Sequence, residues 1–555
     1  MEHVHLTVRN YFATLHWRGR VLTLALIVGL LCGIVAVLYE MVMDFVLEIV
    51  WREGGELFKE KFAFLPPWTY ILIVCTLFGP LVGLLIRVCG EPMANLPGVV
   101  LAAHKDGLLG HEEAPAMAAI SIASIVGAGS LGPEAPLVSI GGGLASLVSI
   151  FVDLTEAETL FVTMCGMGAG LAAFFGEPVG GALFACEVLH RYGLEYYEAV
   201  RAFSPALERA DPFFFHTRVC SQVFIPDFFF RCGGSQVIPT VVAGLACNWS
   251  FRVIADLPQK PIWTFAPEDP LLPWTSILGL LYGALGGLLG WAWMRGTNLI
   301  RAHILVPYKL GPKHILKGLI GGALIGLIGV FFPETLFWAE YEAQTIISKG
   351  ATVLPHVNPA VGILGAYSLE NPIVLFAIGI FKLLAISFTV LAGYRGGFIF
   401  PFMFAGHSIG TGLSLVFPVS QGAAALGCAC AINVAVTRTV LATPIVLSSL
   451  SGRVDCFPTL LVSSLVALYI TGDESIIKAA RGRYLRSELD GAAELHDNDA
   501  PLTRRRTRVR TPGSTPGNSL HDSSNFSPSM FRKLETPTTA QATAPAPSAA
   551  KKTMV

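Results

Sequence analysis

The sequence predicts an all-α protein that crosses a membrane many times, and three observations predict it. Of 555 residues, 53% are hydrophobic and only 14% are charged, where soluble domains carry about 25% charged residues. Apolar runs of about 17–25 residues, enough to span a bilayer, recur along the chain. Several runs are cut by Gly and Pro into shorter pieces. Membranes tolerate such breaks only where they are buried in protein or line a cavity, as in transporters built from two inverted halves of broken and tilted helices. The net charge of −1 supplies no field for nucleic acid. The eleven cysteines are scattered through apolar segments without metal or disulfide spacing. No catalytic, cofactor or metal signature stands in a credible setting, so the chain is expected to be neither an enzyme nor a metalloprotein.

Taken in order, residues 1–20 form a short segment with Arg9, Arg18 and Arg20 directly before the first apolar run, 21–39. The positive-inside rule puts this segment in the cytosol. No small-residue cleavage site follows, so the run reads as a retained membrane helix. A second span, 70–88, leads to a break and then to Met93-Ala94-Asn95-Leu96-Pro97. Shorter apolar pieces follow at 114–126, 134–152, 160–175 and 178–190. Residues 192–235 mix Glu, Arg and Pro with two Phe triplets; they read either as an interfacial loop or as a gene-model error. The helical pattern resumes from Ile238, with spans at 274–304, 315–332 and 372–391. A second glycine-rich break, 393–401, precedes a helix expected from Phe402, and 459–470 is the last run. The membrane domain is thus expected over 21–483. Residues 484–555, with a basic run at 504–510 and then Ser, Thr, Pro and Ala, read as a disordered cytosolic tail. Its end, Thr553-Met554-Val555, fits carboxylate capture by a PDZ-type partner.

The chemistry gathers at 129–143, where Gly132 and Pro133 precede Glu134. Proline suits a helix start, because its missing N–H has no intrahelical partner there. A helix N-terminus presents free N–H groups and partial positive charge, which together make an anion site. Glu134 is then a tethered anion in a site made for anions: ionised it occupies the site, and neutral or displaced it yields the site to a solute ion. An ionisable residue at membrane depth is functional by default. The break at 393–401, with glycines and then Pro401, is its counterpart in the second half. His407 reads as a packed polar contact. Helix N-termini favour anions, whereas a transporter of cations would want carboxylates or helix C-termini facing the site.

These motifs carry a family resemblance. Gly132-Pro133-Glu134-Ala135-Pro136, followed by Ile140-Gly141-Gly142, resembles the gating-glutamate motif of the CLC chloride channels and proton-coupled anion antiporters. Phe175-Gly176-Glu177-Pro178, running on to Glu187, resembles that family's next helix. Gly396-Gly397-Phe398-Ile399-Phe400-Pro401 resembles its GxFxP anion motif. The resemblance covers 21–483 apart from 192–235. It implies a homodimer in a lipid membrane with both termini cytosolic, and one pathway per subunit for chloride or another small anion. It also implies gating by Glu134 and anion contacts from Gly132, Pro133, Ala135, Leu137, Phe398, Ile399 and Phe400. Ala94 and Asn95 fall on the family's first anion motif, with Ala94 where its serine stands, and Arg453 falls on its central tyrosine. The tail is too short for the paired regulatory domains of most eukaryotic members. The inner proton-relaying glutamate falls on Val188, beside Glu187. Valine binds no proton, so a passive chloride channel is expected, with proton-coupled chloride or nitrate antiport as the alternative and transport of another solute as a remoter one.

Overall fold

The computed structural model describes residues 17–90, 109–189, 237–258, 260–266, 274–310, 313–350, 362–364 and 367–472. Ala94, Asn95, the 192–235 segment and the tail lie outside these residues. The described chain is helical, and its single isolated β-bridge joins Gly132 to Gly397.

The first half contains α1 (Trp17–Leu47), continued through a π-helical stretch (Glu48–Glu53) into α2 (Gly54–Lys61), then α3 (Trp68–Cys89), α4 (Ala114–Val126), α5 (Glu134–Val152), α6 (Glu156–Phe175) and α7 (Pro178–Leu189). After the undescribed segment come α8 (Val237–Ala255), α9 (Thr275–Ile300), α10 (His314–Phe331), α11 (Glu340–Ile347), α12 (Pro372–Ala392), α13 (Ile399–Val416), α14 (Gln421–Thr437), α15 (Ala442–Ser451) and α16 (Phe457–Thr471). Ten helical segments among the described residues are long and apolar enough to cross a membrane. The expected starts of α4 and α5 coincide with the observed ones. The helix expected from Phe402 begins three residues earlier, at Ile399, because Pro401 is accommodated inside the first turn, where no intrahelical N–H is needed.

Local sequence explains the helix ends. Thr155 caps α6 in a reciprocal capping box with Glu158, and the Asn371 side chain accepts from Ile373 N–H at the start of α12. Small residues then set the packing. A Cβ on Gly79 of α3 would lie 2.1 Å from the Gly318 carbonyl oxygen of α10, and one on Gly318 would lie 2.1 Å from that of Gly79. These backbones touch, and no other residue fits either position. The innermost helices, α13 and α14, are buried nearly all round, whereas α1, α3 and α9 expose Leu, Ile and Val on one side. That is the inverse of a soluble protein's surface and suits contact with lipid.

Candidate anion site

Two broken elements meet at the centre. The loop before α5 and the loop before α13 pair through Gly132 and Gly397, each N–H donating to the other's carbonyl at 2.7 Å. Side chains brace the same loops: Thr389 Oγ1 accepts from Ser130 N–H and Ser124 Oγ accepts from Arg395 N–H, both at 3.0 Å. The first intrahelical bond of α5 runs from Leu137 N–H to the Pro133 carbonyl, and that of α13 from Phe402 N–H to the Phe398 carbonyl. The N–H groups of Glu134, Ala135, Ile399 and Phe400 therefore fall outside the ladders of their own helices, as the first turns of helices require.

Glu134 is fully buried. Its Oε1 accepts the Phe400 N–H at 3.1 Å, so a carboxylate oxygen stands where a solute anion would meet the α13 N-terminus. Its Oε2 accepts no hydrogen bond among the described residues. Two glycines make room for it: a Cβ on Gly132 would lie 2.5 Å from Oε2, and one on Gly397 would lie 2.3 Å from it. The Trp338 Cβ closes the Gly132 side, 2.9 Å from where that added Cβ would be. Phe400 sits in an aromatic wall with Phe174, Phe175 and Trp263, at centroid separations of 4.9, 6.0 and 5.8 Å. This wall makes the Phe400 side of the site apolar and strengthens the dipoles aimed into it there.

Gly132, Pro133, Ala135, Leu137, Phe398, Ile399 and Phe400 are all buried around this junction. Arg453 lies in the turn between α15 and α16, where its guanidinium is paired with Asp455 at 2.9 Å. His407 Nδ1 lies 2.7 Å from the Met403 carbonyl on its own helix, and its ring packs against Trp263. Val188 is buried near the end of α7. Its neighbour Glu187 is buried as well and accepts from Leu441 and Ala442 N–H at 3.0 and 3.2 Å. A second carboxylate thus sits on a second helix N-terminus, that of α15.

Sequence reasoning missed a polar cluster beside Trp338. Lys382, fully buried in α12, donates to the carbonyls of Thr335, Leu336 and Phe337 at 2.9, 3.2 and 2.8 Å. This grip fixes the loop that presses Trp338 toward Glu134. Glu334, hydrogen-bonded by Tyr367, and Glu342 are buried nearby. A lone lysine within the 21-residue apolar helix was the signal, because a charge there requires partners.

Residues 79–207 and 214–472, more than half of the chain, match the family described as Voltage gated chloride channel. Chloride channel protein CLC-f of Arabidopsis thaliana is 24% identical over 237 residues, which are 42% of this chain and 26% of that protein. Chloride channel protein CLC-e of the same plant is 23% identical over 399 residues, 70% of this chain and 48% of that protein. The matches thus span about a quarter and about half of the plant proteins. The putative ion-transport protein YfeO of Escherichia coli is 23% identical over 425 residues, 75% of this chain and 85% of that protein. Among solved structures, a slow cyanobacterial Cl⁻/H⁺ antiporter superposes with a TM-score of 0.64 at 17% identity, covering 86% of this chain and all of that one. A CLC-type fluoride/proton antiporter superposes at 0.59 and 18% identity, covering 83% and 98%. The chain is a multi-pass integral membrane protein, and it belongs to the voltage gated chloride channel family of anion transport proteins.

Proposed function

We propose that this protein exchanges a small anion, chloride in the first instance, for protons, with Glu134 as the carboxylate that competes with the anion. The observation that carries the exchange reading is Glu187. A passive pathway needs one titratable gate, whereas coupling needs a second titratable stop. Val188 cannot serve, but Glu187 is buried one residue away and rests on the N–H groups of Leu441 and Ala442. Protonation there removes the charge and frees two donors, the same chemistry that Glu134 has at Phe400. Two solved structures with this fold, a Cl⁻/H⁺ antiporter and a fluoride/proton antiporter, are consistent with the reading. The proposed unit is a homodimer with one pathway per subunit and both termini cytosolic.

Passive chloride flow is the second reading, favoured by Val188 itself. Purified protein in liposomes separates the two. Under a proton gradient at fixed chloride, exchange shifts the reversal potential with pH and lets chloride drive uphill proton movement. A reversal potential indifferent to pH refutes exchange and leaves the channel. Within the exchange reading, Glu187→Gln abolishes proton movement while Glu187→Asp retains part of it.

A further inference from the structure

Acidic side chains of α1 and α11 lie within electrostatic reach of one another, and one of them reaches Glu134. Glu40 and Asp44 of α1 and Glu48, which opens the π-helical continuation, recur every fourth residue, which places them on one face. At 1.5 Å rise per residue, a helix crosses the ~30 Å hydrocarbon layer in about 20 residues. Counted from Val21, the stripe begins where the helix reaches the far interface. Glu40 is half-buried, Asp44 and Glu48 are exposed, and Arg52 pairs with Glu48. The stripe is therefore wet at its outer end.

Glu340, the first residue of α11, is partly exposed and within electrostatic reach of both Glu40 and Glu134. Its Oε2 accepts the Trp338 indole N–H at 3.0 Å, and its carbonyl accepts the Trp263 indole N–H at 2.8 Å. Trp338 is the residue that closes the Gly132 side of Glu134, where the unpartnered Oε2 lies. The carboxylates of Glu40, Glu342 and Glu134 all lie within electrostatic reach of Glu340, and Tyr341 feels Glu340, Glu40 and Asp44 together. Glu342 faces Lys382 in turn.

We propose that Glu340 is the proton-transfer residue between Glu134 and the aqueous stripe Glu40–Asp44–Glu48, with Trp338 holding it in place. In the step, protonated Glu340 gives its proton through water to ionised Glu134. Neutral Glu134 then leaves the Phe400 N–H, and the Glu340 carboxylate takes a fresh proton from water at Glu40. No other reactant is needed. Burial, reinforced by the carboxylates around it, pushes Glu340 up to about 8, so it exchanges protons near neutral pH. The inference rests on the proposed role of Glu134.

The test uses the full chain in chloride-loaded liposomes with a pH electrode and a chloride electrode. Glu340→Gln retains an oxygen to accept from Trp338 but holds no exchangeable proton; Trp338→Phe retains the ring and loses the N–H. Glu340→Gln is expected to lower proton flux at least tenfold and chloride flux much less, so that protons moved per chloride fall. Glu340→Asp restores part of the ratio. Glu340→Gln is also expected to slow, at least tenfold, the response of chloride flux to a pH jump on the stripe's side, a readout that applies whether or not protons are exchanged. An unchanged ratio together with an unchanged jump response overturns the proposal. So does an equal fall of both fluxes in Glu340→Gln and Trp338→Phe, which marks a purely structural role. Failure of the underlying reading looks different: chloride flux in Glu134→Gln keeps its pH dependence.

Discussion

Replacing Gly397 by alanine tests whether the room around Glu134 is what lets it close the pathway. The added Cβ would sit 2.3 Å from Oε2 and 2.7 Å from both Cβ and Cδ of Glu134. Carbon and oxygen rest no closer than about 3.3 Å even in weak C–H···O contacts, so about 1 Å must open. The Glu134 Cβ is fixed to the start of α5, so the overlap with that Cβ is borne in the open and closed states alike. The carboxylate is the end of a flexible side chain and can move, whereas the Gly397 backbone is pinned by two 2.7 Å bonds to Gly132. Glu134 therefore yields, and it loses the Phe400 N–H. Overpacking of this size costs about 1–3 kcal/mol. Charged to the closed state, and at tenfold per 1.4 kcal/mol, that reduces closed occupancy roughly 5- to 150-fold. Chloride flux through Gly397→Ala liposomes is expected to rise at alkaline pH, where Glu134 is ionised, and to change little at acid pH. In the Glu134→Gly background the same substitution should add nothing, because neither the carboxylate nor the Cβ remains to be displaced. A Gly397→Ala protein that melts like wild type yet shows lower flux at every pH would refute the reasoning.

Glu134→Gln should give chloride flux that no longer follows external pH, measured as efflux rate across a pH series; retention of the wild-type profile removes Glu134 from the gate. Lys382→Met leaves three carbonyls without a donor and Glu342 without its counter-charge. A loss of about 3–5 kcal/mol is expected, read as a large fall in melting temperature in detergent and partly reversed by adding Glu342→Gln. Because Glu340 is held above its unfolded value, up to about 8, its contribution to stability is fully present at low pH and is lost as pH rises through that value. Glu340→Gln should accordingly flatten the decline in melting temperature between about pH 4.5 and 8. Truncation after Arg483 should leave folding and chloride flux intact; loss of either would make the tail part of the membrane unit.

The long spans were legible because membrane helices announce themselves twice, by apolar length and by Gly-Pro punctuation. The start of α5 at Glu134 follows from Pro133 alone, and the pairing of the two breaks follows from their like composition. Two things were not legible. The sharing of the Phe400 N–H by Glu134 links positions 266 residues apart, and no local pattern encodes which of several free helix-start donors a side chain will reach. The region 333–347 carries three acids without apolar periodicity, and the pattern alone assigns it no role. Its meaning depends on Lys382 from α12 and on Trp338 being pressed toward Glu134, which only the packed structure supplies. Glu187 was legible as an acid at a helix end; that it rests on the N-terminus of α15 was not.

The geometry of Glu134 also bears on why a tethered anion can give way to a free one. Both compete for the same N–H groups at the start of α13, and transport requires that neither wins by much. If the carboxylate led by about 3 kcal/mol, the anion would occupy the site less than one time in a hundred. The carboxylate has the advantage of being covalently held, which spares it the entropy of association. Against this, only one of its oxygens is satisfied. Oε1 has the Phe400 N–H, while Oε2 is buried without a donor among the described residues, and an unmet buried acceptor costs about 1–3 kcal/mol. Trp338, whose Cβ lies beside Gly132, gives its indole N–H to Glu340 instead. A second donor to Oε2 would tip the competition toward a locked gate, so the half-satisfied carboxylate is what keeps it close enough to even for an anion or a proton to displace it.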